Sequence, residues 1–185
     1  MDAIEAIRGR RSIRDYRAGR VPRALIEAIL DDAAQAPTPP LSGEHPFAFL
    51  VIEGKKRVAE CGALALRHAR EHRPPGPGYD WVERPGFSVF FDAPAAVVIC
   101  GADEALDQAL QDCNRAGQNL MLSAHARGLG TCWVGSPMLW LRHPGTAAAL
   151  GVPAGYRPCA AFALGYPATL PAPRGRPAPA VVWAA

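Results

Sequence analysis

Arg10, Arg11, Ser12 and Arg14 fall within a five-residue stretch, and Arg174 and Arg176 form a second basic pair near the far end of the chain. A guanidinium presents a planar fork of donors, and a serine hydroxyl adds a neutral donor beside it. That combination suits one compact anion, such as a phosphate. Taken alone, the first cluster also reads as a solvated helix end, and the second as decoration on a tail.

Other chemistries find less support. The chain has no Gly-x-Ser-x-Gly, no His-Glu-x-x-His and no P-loop, and Gly151, Gly155 and Gly165 do not form a dinucleotide fingerprint. His45, His68, His72, His125 and His143 lack ligand spacing. His68 and His72 are four apart, which fits a solvated pair on one helix face better than a metal site. The five cysteines are odd in number and scattered, without a C-x-x-C. They read as small buried hydrophobes of a reducing cytoplasm, Cys132 included.

Composition sets the outer bounds. A chain of 185 residues, 49% hydrophobic and 20% charged, reads as one soluble domain over 1–185 with a real core. A net charge of +3 is too small for a protein that coats nucleic acid, and the arginines are interrupted by apolar positions without interleaved aromatics. No signal peptide follows Met1, and no apolar run approaches the roughly 18–20 residues of a membrane-spanning helix. A cytoplasmic protein without nucleic-acid or membrane partners is expected.

The elements that must position the arginines follow from periodicity. Residues 2–9 read as a short helix leading into the first cluster. Pro22 opens a second helix, in which Leu25, Ile26, Ile29, Leu30, Ala33 and Ala34 share one face. Pro37, Pro39 and Pro40 stop it. Strands are expected at 47–52, 95–100, 131–135 and 158–165, with helices at 55–71, 104–127 and, briefly, 138–150. Asp103, Glu104 and Asp107 sit at the start of the longest helix, where its dipole favours acids. Residues 72–92 are rich in proline and glycine and then in aromatics (Trp81, Phe87, Phe90, Phe91), the mark of a lid or of a loop pinned to the core. Beyond Tyr166-Pro167 the chain is an extended arm, 167–185, whose Val181, Val182 and Trp183 invite docking on another subunit. Few strands, the first preceded by two helices, argue for an α+β fold rather than a doubly wound one.

Five segments in order carry a family resemblance. They are Arg10-Arg11-Ser12-Ile13-Arg14 after a short helix, Ala36-Pro37-Thr38 after the second, and Pro46-Phe47 opening the first strand. Asp112 to Ala124 then leads into Arg127-Gly128-Leu129-Gly130-Thr131-Cys132-Trp133-Val134-Gly135, and Leu164-Gly165-Tyr166-Pro167 precedes Arg174-Gly175-Arg176-Pro177. Over nearly its whole length the chain resembles the nitroreductase-like family of FMN-dependent oxidoreductases.

The resemblance implies a central, mostly antiparallel sheet flanked by helices, in an intertwined homodimer with FMN at the interface. By the same likeness Arg10 and Ser12 hold the phosphate and ribityl chain, Arg11 contributes through its backbone, and Arg14 lies near the pyrimidine edge. Arg176, with Arg174 behind it, closes on the phosphate. Trp133, Val134 and Gly135 offer backbone groups to the ring, the Trp133 indole itself being expected in the core. Pro37, Thr38 and Pro39 come from the partner subunit. No side chain acts as a nucleophile: NADH or NADPH gives hydride to the flavin N5, and a nitroaromatic, quinone or other conjugated acceptor takes it in a ping-pong cycle. The family commonly has Ser-x-Asn-x-Gln-Pro-Trp where this chain has Ser42-Gly43-Glu44-His45-Pro46-Phe47. His45 is therefore either a substitute flavin ligand or a plain loop residue. A non-catalytic flavin-storing protein, or a dehydrogenase running in the oxidising direction, are the alternative readings.

Overall fold

The computed structural model describes residues 1–76, 78–172 and 175–184. Helices α1 (Ala3–Gly9) and α2 (Arg23–Ala34) precede strand β1 (Phe47–Glu53). Helix α3 (Lys55–His72), strand β2 (Ala95–Ala102) and the long helix α4 (Leu106–Ala126) follow. Strand β3 (Gly130–Trp133), helices α5 (Met138–Leu141) and α6 (Pro144–Ala149) and strand β4 (Tyr156–Gly165) complete the order. Each strand pairs antiparallel with its neighbours in the order β1-β2-β4-β3, so the α+β reading with an antiparallel sheet holds.

The layers follow from which strands are central. β2 and β4 are apolar at almost every position, and both faces of them are covered. Val97, Ile99, Phe162 and Leu164 face α2 and α4 in one core. Ala96, Val98, Ala161 and Ala163 face α3, α5 and the 72–92 loop in the other. Burying both faces explains the unbroken run Ala-Ala-Val-Val-Ile-Cys, where a half-exposed strand would alternate.

Some boundaries differ from the sequence reading for local reasons. The 138–150 stretch is two helices, because Pro144 restarts the chain at the first position of α6. β4 begins at Tyr156, two residues before its apolar run, because Arg157 and Tyr156 still pair with Gly101 and Ala102. After β4 the chain is strapped by a bridge between Tyr16 and Pro167 and by Ala168 N–H donating to the Asp15 carbonyl. Among the described residues no helix is long and apolar enough to cross a membrane.

Candidate functional site

Helix α1 aims the arginine cluster. Asp2 and Glu5 form a reciprocal capping box at its start, and the Arg10 N–H closes its last turn on the Ala6 carbonyl. The chain then runs extended beside β3. Ser12 bridges Thr131, and Ile13 N–H donates to the Thr131 carbonyl at 2.9 Å. This approach requires glycine at 130, where any Cβ would drive into the Ile13 side chain. Gly165 is equally confined, between Pro94 and Tyr16. Tyr16 OH donates to the Ile13 carbonyl and completes the strap.

Four basic groups from three parts of the chain converge there. Burial, then the charges of Arg11 and Arg176, push the Arg10 guanidinium below its ordinary value. The charge of Arg176 therefore acts on Arg10 within one protomer. His125, near the end of α4, is pushed below its usual range by burial and then by Arg10 and Arg11. Arg11 turns its Nη1 back to the carbonyls of Arg8, Gly9 and Arg10 at 2.7–3.0 Å, capping α1. Its Nε is buried without a partner, as is Thr131 Oγ1 among the described residues. A cavity of about 200 Å³ lies between Arg10, Arg11, His125 and Thr131. Crowded like charges and orphaned buried donors are costly unless an acceptor joins them. The arrangement is an anion cradle, and a phosphate fits its donor set. Arg174 lies outside the described residues.

The remaining expected residues occupy two other places. Arg14 is exposed, with its guanidinium 5.7 Å from the Phe91 ring centroid. Phe91 and Asp92 both hold left-handed backbone (φ 56° and 55°), a strained pair for non-glycine residues. Ser88 secures them, accepting from the Asp92 N–H and donating to its carboxylate. At the end of β3, Val134 N–H is committed to the Ala161 carbonyl at 2.8 Å. Gly135 is exposed, and its N–H makes no hydrogen bond among the described residues. The Trp133 indole corrects an expectation: it is 41% exposed, because β3 is an edge strand and Cys132 takes the inward position. Burial pushes the Cys132 thiol up, the direction of an inert packing cysteine.

Pro37, Thr38 and Pro39 follow α2 and do not line the arginine cavity. His45 is exposed, and its carbonyl accepts from Tyr156 OH at 2.7 Å. His125 and Thr131 were not singled out from sequence. Both sit in segments read as plain helix and strand, and only the crossing of residues 10–13 over β3 gives them a role.

Beside Gly135 opens a second cavity of about 530 Å³, walled by Tyr79, Trp81, Phe87 and Met138. A cluster of basic groups, a free backbone donor and an aromatic cavity thus share one antiparallel α+β frame.

Comparison with known proteins makes the class specific. The Nitroreductase family matches residues 7–166, and the chain belongs to that family. A relative from Methanothermobacter thermautotrophicus, provisionally named an NADH dehydrogenase/NAD(P)H nitroreductase, is 34% identical over 94% of this chain and 82% of its own. A 4-nitrobenzoate reductase from a Nocardioides species is 30% identical over 90% of this chain and 82% of its own. Among solved structures, a nitroreductase with bound FMN from Bacteroides fragilis superposes with a TM-score of 0.84 at 21% identity, covering 100% of this chain and 99% of the other. One from Desulfitobacterium hafniense, also with bound FMN, gives 0.81 at 25% identity, covering 96% and 95%.

Proposed function

We propose that this chain is an FMN-dependent NAD(P)H oxidoreductase, acting as a homodimer, that passes two electrons to a nitroaromatic, quinone or other conjugated acceptor. The observation that carries the reading is the cradle: Arg10, Arg11 and Thr131 line one cavity, Arg11 Nε and Thr131 Oγ1 are buried there without partners among the described residues, and the charge of Arg176 acts on Arg10. A flavin phosphate supplies both the missing charge and the missing acceptor.

In this reading Arg10, Ser12 and Arg176 hold the phosphate, and Arg11 contributes its backbone and its orphaned Nε. Arg14 stands at the pyrimidine edge, where a cation favours negative charge. Gly135, with Trp133 and Val134 behind it, faces the ring. Pro37, Thr38 and Pro39 of the partner subunit close the site, and His45 is a candidate further contact. FMN, when bound, supplies a hydride-transferring centre that no side chain here provides. The residues of the chain bind, orient and shield it. For a nitro substrate the balance is one NAD(P)H and one proton consumed, with a nitroso product and water formed. The name of the Nocardioides relative supports that acceptor class.

The test is colour. The purified protein should be yellow, bleach anaerobically with NADH or NADPH, and recolour with a nitroaromatic or quinone. A protein that stays colourless when soaked with FMN overturns the reading. A yellow protein inert to both nucleotides is a flavin-storing relative.

A further inference from the structure

The aromatic cavity beside Gly135 has a feature that flavin binding does not use. Arg142 reaches its wall from the end of α5. This guanidinium is fixed in place: Nε donates to the Pro158 carbonyl at 3.2 Å and Nη2 to the Cys159 carbonyl at 3.4 Å. Its Nη1 makes no hydrogen bond, and no carboxylate lies within 4 Å of it, among the described residues. No acidic side chain is among the lining residues. The exposed guanidinium therefore holds one free arm at the solvent edge of an apolar wall, with no counter-ion among the described residues.

The opposite wall is aromatic and oriented. Trp81 lies 5.3 Å from Phe87, centroid to centroid, and its indole N–H is anchored on the Gly78 carbonyl at 3.0 Å. Phe87 in turn meets Phe91 edge-on at 6.5 Å, and Phe91 lies under Arg14. The aromatic run thus links the cavity to the residue expected at the flavin edge. A flat ring can stack on Trp81 and Phe87, while a carboxylate on that ring finds the free arm of Arg142.

We propose that this cavity seats the electron acceptor, and that the acceptor is a planar aromatic ring carrying a carboxylate, selected by Arg142 and stacked by Trp81. This rests on the oxidoreductase reading of the same site and narrows it to a substrate class. The same chemistry, a ring with an attached anion, also describes a nicotinamide nucleotide, so the test must separate the two.

Binding to the oxidised, FMN-loaded protein is measured by calorimetry with 4-nitrobenzoate and with nitrobenzene. KM is measured for each acceptor and for NADH and NADPH. In the unaltered protein the carboxylate should bind at least about tenfold tighter than nitrobenzene, the scale of one charge-assisted hydrogen bond. Arg142→Gln places an amide N–H near the Nε position, where it can still donate to the Pro158 carbonyl, and it should erase that preference while changing nitrobenzene affinity less than about twofold. Trp81→Leu should weaken both ligands. Equal affinities in the unaltered protein overturn the proposal without any variant. So does a preference that survives in Arg142→Gln, or a variant whose defect falls on the KM of the nucleotide instead. Reduction of a neutral quinone by the same preparation reports on the oxidoreductase reading by itself, so its loss and the loss of carboxylate selection are told apart.

Discussion

Ser42 Oγ donates a 2.5 Å hydrogen bond to Asp112 Oδ2, joining the loop after α2 to the second turn of α4 across 70 residues of sequence. Asp112 is 1% exposed and also accepts from Gln108 and Arg115. A buried carboxylate with three donors is satisfied, and it fixes the loop that contains Pro37, Thr38, Pro39 and His45.

Removing that carboxylate strands its partners. Asp112→Ala should cost about 2 kcal/mol, since Ser42 loses its acceptor while the half-exposed Arg115 recovers water. Urea denaturation measures it. Asp112→Asn should cost less, because the amide oxygen still accepts. An unchanged midpoint in Asp112→Ala would show that the latch carries no stability.

Gly130→Ala places a methyl against Ile13 where β3 and the arginine segment touch. Overpacking of this kind costs about 1–3 kcal/mol. The segment carrying Arg10 and Ser12 is the part free to yield, so flavin affinity should fall by more than global stability does. Fluorescence titration with FMN, set beside thermal melts, gives both numbers; a stability loss with intact affinity would contradict the strap.

His125 supplies a pH dependence with a definite sign. Its folded pKa is depressed by burial and by Arg10 and Arg11. Between that value and the unfolded value near 6.5, the unfolded chain binds more protons. Stability from this group is present above about pH 6.5 and is lost as pH falls through the folded pKa. The cofactor-free protein should therefore lose stability from pH 7 toward pH 5, and His125→Gln should flatten that slope. Parallel slopes in the two proteins would remove His125 from the cradle.

The arm beyond Pro167 exposes Leu170, Val181, Val182 and Trp183, the last two 92% and 89% exposed. Ile4 and Ile7 of α1 are exposed as well. Apolar groups left out of the core in this way mark a contact surface. Replacing Val182 and Trp183 together by serine should weaken the proposed homodimer in sedimentation without unfolding the domain. An unaltered protein that sediments as a monomer at every concentration would contradict the dimer.

Local pattern disclosed the frame, because helices and buried strands announce themselves by period and by proline. Arg10, Arg11 and Ser12 could be singled out as candidates because they are sequence neighbours. His125, Thr131 and Arg142 were not, because each gains its role from a contact far away in the chain: with Arg10 and Arg11, with Ser12, and with the carbonyls of Pro158 and Cys159. The exposure of Trp133 was missed for a related reason. Sequence shows an apolar strand, whereas strand order alone reveals that it lies at the edge.

Comparison of FMN with riboflavin tests the central claim most directly, because the two differ only by the phosphate. Fluorescence titration of the cofactor-free protein should show FMN binding on the order of a hundredfold tighter, the scale of two charge-assisted hydrogen bonds. Arg10→Ala and Arg176→Ala should each shrink that ratio while leaving riboflavin affinity in place. Equal affinity for the two flavins, or a ratio untouched by either substitution, would show that the arginines of the two termini do not hold a flavin phosphate.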